Sequence, residues 1–252
     1  MRRYGLIGYP LTHSFSQQYF TEKFEREGIT DCTYSNFSMP QIGELTGVLA
    51  DPELCGFNIT IPYKEQVIGW LDQRDEVVEA VGACNCIRIR DGQLKGYNTD
   101  VTGFERSFVP KLTGDHKKAL VLGSGGASKA VMYVLRRLGI DYRLITRADT
   151  PAEGSMNYTE VDSALLAEYT ILINTTPLGM HPRTEDCPPL PYEALTSGHY
   201  LFDLIYNPER TLFLRKGEAL GAVVENGHEM LILQAEESWR IWTAESDGAV
   251  QA

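Results

Sequence analysis

Cysteine is scarce, and what there is does not pair. Cys32, Cys55, Cys84, Cys86 and Cys187 are an odd number spread over 252 residues with no paired zinc spacing, which argues against a disulfide framework or a structural metal and for a reducing compartment. Long apolar runs are also missing. The chain opens Met-Arg-Arg-Tyr-Gly, and its first apolar run is too short for a signal segment or a membrane span, so the expected location is the cytoplasm, away from membranes. Basic charge is in deficit: 23 Lys and Arg face 34 Asp and Glu, a formal charge of −11. Such a surface repels phosphate backbones and anionic lipid, so nucleic acid is not an expected partner. No internal repeat and no low-complexity tract interrupts the chain. With 43% hydrophobic and 23% charged residues, it has the composition of a globular protein of one large or two ordinary domains, long enough to bury about three quarters of its unfolded surface.

Short apolar runs alternate with stretches of helical period. The first part predicts strands at Tyr4–Gly8, Cys32–Phe37, Gly56–Thr60, Cys84–Arg90 and Gln93–Tyr97, the last two joined by the Asp91-Gly92 turn of a hairpin. Helices are expected at Ser14–Glu27, Gln41–Leu49, Pro62–Leu71 and Val101–Leu112. The polar stretch Thr113–Lys118 then reads as a boundary. Beyond it, strand Ala119–Leu122, a glycine-rich turn, helix Lys129–Leu138 and strand Tyr142–Ile145 form a βαβ unit of about 30 residues. Strands Thr170–Asn174, Tyr200–Leu204 and Ala222–Val224 and helix Glu209–Glu218 extend it into a doubly wound parallel sheet. A last helix, Met230–Thr243, carries Trp239 and Trp242, and the tail from Ala244 is expected to fray.

The turn reads Gly123-Ser-Gly-Gly-Ala-Ser128. Between a strand and a helix, such glycines permit a tight turn and let the backbone approach a pyrophosphate at the helix N-terminus; the plain alternative is a strand–helix turn without a ligand. Ser128 stands where the third glycine of a dinucleotide fingerprint is usual, which predicts slightly looser helix–strand packing. At the end of the next strand, where an NAD enzyme offers an acid to the ribose, the chain has Thr146-Arg147. A guanidinium there suits a 2′-phosphate and favours NADP, with Asp149 as a counterweight two residues on. A solvated surface arginine is the alternative.

In the first part, Gly8-Tyr-Pro-Leu-Thr-His-Ser14-Phe-Ser16 places two hydroxyls at a helix entrance, where they either hold a carboxylate or simply cap the helix. Gly56-Phe-Asn58-Ile-Thr60-Ile-Pro62-Tyr-Lys64 runs a strand into a predicted helix with Pro62 at its first position. Lys64 then falls in the first turn, an unfavourable place for a cation and a useful one for a proton donor. Asp100, ending Gly96-Tyr-Asn-Thr-Asp100, is a natural N-cap. Strand alternation places Asn85 opposite both Cys84 and Cys86, which makes the cysteines core residues rather than metal ligands.

Eight motifs occur in the order found in the shikimate dehydrogenases: His13-Ser-Phe-Ser16, Asn58-Ile-Thr-Ile-Pro-Tyr-Lys64, Gly82-Ala-Cys-Asn85, Gly96-Tyr-Asn-Thr-Asp100, Gly123-Ser-Gly-Gly-Ala127, Asn174-Thr-Thr-Pro-Leu-Gly-Met180, Asp203-Leu-Ile-Tyr206-Asn-Pro208 and Met230-Leu-Ile-Leu-Gln234-Ala235. The chain resembles that family over nearly its whole length. The resemblance implies reversible NADPH-dependent reduction of 3-dehydroshikimate to shikimate, a step in aromatic amino acid biosynthesis. It further implies an α/β fold: residues 1–101, with the closing helix from 230, binding the substrate, residues 102–229 forming a Rossmann-type NADP domain, and a cleft between them. By the same resemblance Lys64 and Asp100 match the catalytic pair, Ser14 and Ser16 the carboxylate site, and Thr60, Asn85, Tyr206 and Gln234 other substrate contacts. Gly123, Ser124, Gly125, Gly126, Ala127, Thr146, Arg147, Leu204, Gly227 and Met230 match cofactor contacts; no metal is implied, and a monomer or homodimer is expected. Two features depart from the family pattern: Thr146-Arg147-Ala148 replaces the usual Asn-Arg-Thr without a second basic residue, and Cys86 follows Asn85 where Thr is common. Close rivals are relatives acting on quinate or an aminated analogue; a rival of another class is a nucleotide-binding sensor without catalysis. His13 is expected to be local structure, and His116, His181, His199 and His228 match no catalytic role.

Overall fold

A computed structural model of the chain describes residues 1–11, 14–148 and 154–245. His13, Asp149 and the tail beyond Glu245 lie outside the described residues. The chain forms two compact units, Met1–Thr99 with Ala235–Ala252, and Asp100–Gln234.

The first unit contains β1 (Arg2–Gly8), α1 (Phe15–Glu27), β2 (Cys32–Ser38), α2 (Leu45–Leu49), β3 (Leu54–Ile59), β4 (Gln73–Arg74), α3 (Glu76–Val81), β5 (Cys86–Arg90), β6 (Gln93–Tyr97) and the start of α4 (Thr99–Phe108). Its sheet has the order β2-β1-β3-β5-β6-β4; β1 runs parallel to both neighbours, and β5 is antiparallel to β3 and β6. The chain winds from β1 to β2 on one side and then to β3 on the other. That reversal opens a crevice at the carboxyl ends of β1 and β3, where ligands bind in open α/β sheets.

Side-chain alternation supplies this sheet with two cores. Tyr4 and Leu6 pack with Phe20, Phe24 and Trp242 on one face, while Ile7, Phe57 and Ile59 pack with Leu45, Val67 and Val78 on the other. The ring of Trp242 stacks on Tyr4 at 4.8 Å, and its Nε1 donates to the Ile87 carbonyl at 2.9 Å. Truncating a buried side chain of that size to alanine costs about 3–5 kcal/mol, enough to hold the end of the last helix on this unit. Lys23, almost fully buried on α1, gives a second tie by pairing with Glu236 at 2.9 Å.

The second unit contains the rest of α4, β7 (Lys118–Leu122), α5 (Gly126–Arg137), β8 (Asp141–Thr146), β9 (Ser155–Asn157), α6 (Ser163–Glu168), β10 (Ile171–Asn174), β11 (Tyr200–Asp203), α7 (Leu212–Glu218), β12 (Val223–Glu225) and the first part of α8 (His228–Thr243). Its six strands are all parallel, in the order β12-β11-β10-β7-β8-β9. This is the doubly wound sheet expected, with the strand order reversing between β7 and β10. Every residue of β10 and β11 is buried, which is why these strands read as continuous rather than alternating apolar runs. Among the described residues, no helix is long and apolar enough to cross a membrane.

Several elements differ from the sequence expectation. Pro62–Leu71 is not an α-helix: only a 3₁₀ turn at Gln66–Trp70 forms. The Lys64 carbonyl, which a helix would give to the Ile68 N–H, instead accepts the Cys84 N–H at 2.8 Å, and Ile68 N–H turns to Glu65. Helix α5 begins at Gly126 rather than Lys129, so the glycine turn is itself the helix start. Thr211 caps α7, accepting the Leu214 N–H, and the helix starts at Leu212 rather than Glu209. The strand expected from Cys84 begins at Cys86. Period two therefore does not extend to Cys84, and the two cysteines pack in separate cores rather than sharing a face. Short β4, α3, β9 and α6 carried too few residues for a periodic signal.

Candidate active site

In the first unit the expected substrate residues gather at the carboxyl ends of β1 and β3. The loop after β1 is tied to the loop after β3 by Tyr9 N–H to Ile61 C=O at 3.0 Å, and Thr60 N–H donates to Ile7 C=O at 2.8 Å. Ser14 is the N-cap of α1, its hydroxyl accepting the Gln17 N–H at 3.2 Å. Capping is thus its observed local role, and it leaves the helix entrance polar and half-buried. Thr60 and Lys64 are half-buried along the same rim. Lys64 sits in a turn, not at a helix N-terminus, so the helix-dipole argument for this lysine does not apply.

Behind that rim runs a buried polar network. The Tyr34 phenol, pushed up by burial, hydrogen-bonds Ser16 and donates to Asn58 Oδ1 at 3.0 Å. Asn58 Nδ2 donates to Ser238 Oγ at 2.8 Å and to the Asn85 carbonyl at 3.2 Å, and Ser238 meets the Thr99 hydroxyl at 3.2 Å. Asn85 closes the chain: its Oδ1 accepts the Thr99 N–H at 2.6 Å and its Nδ2 donates to Thr99 Oγ1 at 3.0 Å. Two of the expected substrate residues, Ser16 and Asn85, are therefore linked through buried side chains. Tyr34→Phe should cost about 1–3 kcal/mol in denaturant unfolding, because it strips Asn58 and Ser16 of a buried partner; a variant as stable as the native chain would show that the network holds nothing.

Asp100 is the second residue of α4, not its N-cap. Asn85 takes the capping role from across the sheet, and the buried Asp100 begins the second unit directly after Thr99. Within that unit Gln234 on α8 is buried and packs closely beside Gly103 of α4. Tyr206, beyond β11, is 38% exposed.

The cofactor candidates gather at the carboxyl end of the second sheet, around the β7/β10 reversal. Gly123 has φ +103°, and a Cβ there would meet Thr176 Cγ2 at 2.7 Å. Only glycine fits that turn. Thr175 Oγ1 donates to the carbonyls of Leu122 and Gly123 and braces it from β10. Open space faces Gly125, and α5 has no side-chain cap. The first-turn N–H groups and the positive helix end thus face room for a pyrophosphate, and these residues fit a dinucleotide. Ser128 is fully buried, its hydroxyl on the Gly125 carbonyl at 2.6 Å, so no loosening accompanies the missing third glycine.

Arg147 is exposed just past β8, near Tyr158, whose phenol burial raises to about 12 against the pull of that arginine. Asn157 Nδ2 holds the Ala148 carbonyl at 2.9 Å. Leu204 follows β11; Gly227 packs directly against it, and Met230 is buried one helical turn further on. No group of three or more His, Cys, Asp or Glu fit to hold a metal occurs among the described residues.

A family model described as the shikimate dehydrogenase substrate binding domain matches residues 6–87. A shikimate dehydrogenase (NADP(+)) of Geobacillus kaustophilus is 37% identical over 96% of this chain and 92% of its own length. The chain belongs to the shikimate dehydrogenase family. A shikimate 5-dehydrogenase from Thermus thermophilus, solved in complex with NADP(H) and shikimate, superposes with a TM-score of 0.84 at 30% identity, covering 96% of this chain and 94% of that one. A quinate dehydrogenase from Corynebacterium glutamicum, solved in complex with NAD, gives 0.85 at 26% identity over 96% and 93%.

For a shikimate dehydrogenase relative, the residues that sequence reasoning passed over are instructive. Tyr34, Thr99 and Ser238 carry the first unit's network, and Asn174, Asp203 and Thr211 carry another in the second. Asn174 and Asp203 did leave a signal: each is the polar residue closing an otherwise apolar strand, Ile-Leu-Ile-Asn and Tyr-Leu-Phe-Asp. Tyr34 and Ser238 left none, since their partners are distant in sequence.

Proposed function

We propose that the protein is an NADP-dependent shikimate dehydrogenase, reducing 3-dehydroshikimate reversibly to shikimate. The reading is carried by a likeness to shikimate dehydrogenases that spans both units and keeps all eight motifs in order. Ser14 and Ser16 hold the substrate carboxylate by donating hydroxyl hydrogens. Thr60, Asn85, Tyr206 and Gln234 hold the ring hydroxyls and the face of the ring. Gly123 to Ala127 receive the pyrophosphate, Thr146 and Arg147 the 2′-phosphate, and Leu204, Gly227 and Met230 the nicotinamide. When bound, NADPH supplies a hydride to the carbonyl carbon. Lys64 stabilises the negative charge that grows on the carbonyl oxygen and gives that oxygen its proton. Asp100 accepts a hydrogen bond from the neighbouring substrate hydroxyl and fixes the ring against rotation. In the oxidative direction the proton passes from the substrate hydroxyl back to the Lys64 amine.

Loss of absorbance at 340 nm on mixing NADPH with 3-dehydroshikimate is the expected result, with NADPH used in preference to NADH. Protein that binds NADPH and leaves the absorbance unchanged would favour a sensor and end the catalytic reading. The likeness to a quinate dehydrogenase makes quinate the second substrate to test. We expect kcat/KM for shikimate to exceed that for quinate, and the reverse ratio would assign the chain to quinate. We place the activity in the cytoplasm, in a monomer or homodimer.

A further inference from the structure

Asp203 closes β11 as Asn174 closes β10, and their side chains meet at the carboxyl end of the second sheet. Asp203 Oδ1 accepts the Ile205 N–H and Asn174 Nδ2, each at 3.0 Å, and Oδ2 accepts the Thr211 hydroxyl at 2.6 Å. Asn174 Oδ1 in turn accepts the Thr176 N–H at 3.0 Å and its hydroxyl at 2.7 Å. All three side chains, Asn174, Asp203 and Thr211, have 0% exposure. None takes part in the chemistry above.

What they hold matters more than what they touch. On one side, the loop after β10 carries Thr175, whose hydroxyl braces the glycine turn. On the other, the loop after β11 carries Leu204 and Ile205. Gly227 N–H donates to the Ile205 carbonyl at 3.1 Å, and a Cβ on Gly227 would lie 2.1 Å from the Leu204 carbonyl oxygen. The network therefore joins the turn that faces a pyrophosphate to the residues assigned to the nicotinamide end.

We propose that Asp203 is a positioning residue for the nucleotide: its carboxylate clamps the loops after β10 and β11 in the arrangement that receives a dinucleotide across the crevice. The proposal rests on the NADP-binding reading of this unit. Three donors converge on the carboxylate, which suits the ionised form, because a protonated Oδ2 would oblige the Thr211 hydroxyl to reverse. Burial pushes Asp203 up to about 7, against the pull of the Thr211, Ile205 and Asn174 hydrogen bonds. The charged groups on neighbouring elements are engaged elsewhere. On α7, Arg215 pairs with Glu185 and Lys216 lies over the Tyr192 ring; on β12, Glu225 pairs with Lys111. The Tyr192 phenol, itself raised by burial, donates to the Pro188 carbonyl.

The sign is distinctive. A carboxyl raised in the folded state adds stability that is complete below its usual value, 3.8, and lost as pH rises through about 7. Nucleotide binding, which needs the carboxylate, strengthens over the same rise. NADPH fluorescence, titrated without substrate at pH 6 and pH 8, separates the two. With about one molecule in eleven ionised at pH 6, the native protein should bind about tenfold more weakly there than at pH 8. Asp203→Asn keeps an oxygen for Ile205 and Asn174, but it sets an amide N–H donor where Oδ2 accepts the Thr211 hydroxyl, and it cannot titrate. It should bind at pH 8 about tenfold more weakly than native, near the native level at pH 6, and keep only the weakening due to the ligand's own 2′-phosphate, which titrates near pH 6. Thr211→Val, which removes one donor to the anion, should move the midpoint of the acid loss to higher pH. A native profile flat from pH 6 to 8, an Asn variant that binds as tightly as native at pH 8 or shows the full native loss on acidification, or a Val variant with an unmoved midpoint overturns the clamp alone. Native protein that fails to bind NADPH at pH 8 overturns the nucleotide reading itself, and the clamp with it.

Discussion

Lys64→Ala lowers kcat by about 10²–10⁴, with a much smaller change in KM. The magnitude is that of removing a group that both transfers a proton and stabilises charge present only in the transition state. The ground-state ketone is neutral and gains little from the ammonium, which is why the loss falls on kcat. Lys64→Arg separates the two contributions. Arginine keeps the positive charge but holds its proton too tightly to give it up. If electrostatics alone were the role, the Arg variant would recover most of the rate; if the proton is given by Lys64, it stays near the Ala variant. A steady-state assay at saturating substrate decides this, and an Ala variant with native kcat would remove Lys64 from the mechanism. Its position favours a clean result. The backbone of Lys64 is fixed by its carbonyl bond to Cys84, whichever side chain it carries, and the side chain is only half-buried. Truncation therefore opens no large cavity in the core.

Why the sequence put Lys64 in the wrong local structure follows from the kind of information each feature carries. The glycine turn was legible because strand, turn and helix are contiguous, so both the change of period and the special backbone positions fall within one short segment. The same holds for the alternation of strands and helices that predicts the doubly wound sheet. Pro62 also looked like a local signal, a first helical residue. There the deciding interaction is not local: the Cys84 N–H takes the carbonyl that a helix would need. Asp100 fails as a cap for the same reason, since Asn85 reaches the start of α4 from the neighbouring strand end. Local propensity decides an element only where no distant hydrogen bond competes for the backbone, and at the ends of sheet strands such competition is the rule. The residues proposed for substrate and nucleotide concentrate at those ends. Their motifs were consequently readable, while their local geometry was not.

The two units share one design that the motifs alone do not reveal. In each, the chain winds outward from a central strand in two directions, and the residues proposed for the ligand follow the strands on either side of the reversal. Ser14 and Ser16 follow β1 while Thr60 and Lys64 follow β3; the glycine turn follows β7, and Thr175, which braces that turn, follows β10. Each rim is backed by a buried polar network rather than by apolar packing, with Asn58 and Ser238 in one unit and Asn174 and Asp203 in the other. A directional network restricts the backbone to one arrangement, whereas an apolar layer tolerates repacking.

Arg147→Ala should raise KM for NADPH about 10- to 30-fold and leave KM for NADH within about twofold. A charge-assisted hydrogen bond to phosphate is worth about 1.5–3 kcal/mol, or roughly 10- to 150-fold. The exposure of Arg147 argues for the lower part of that range, because water screens a surface ion pair. The same screening makes a further requirement: the gap between native and variant must narrow as salt rises, since the Debye length contracts from about 10 Å at 0.1 M to about 3 Å at 1 M. NADH carries a 2′-hydroxyl in place of the phosphate, so the arginine has no charge to meet there. Arg147→Asp goes further, because a carboxylate accepts from a ribose hydroxyl and repels a phosphate. It should reverse the preference toward NADH. Only one basic residue stands at this position, and no second arginine in Thr146-Arg147-Ala148 can compensate for its loss. Equal effects of Arg147→Ala on the two nucleotides would mean that the phosphate is recognised elsewhere, and an effect insensitive to salt would mean that Arg147 acts through packing rather than charge.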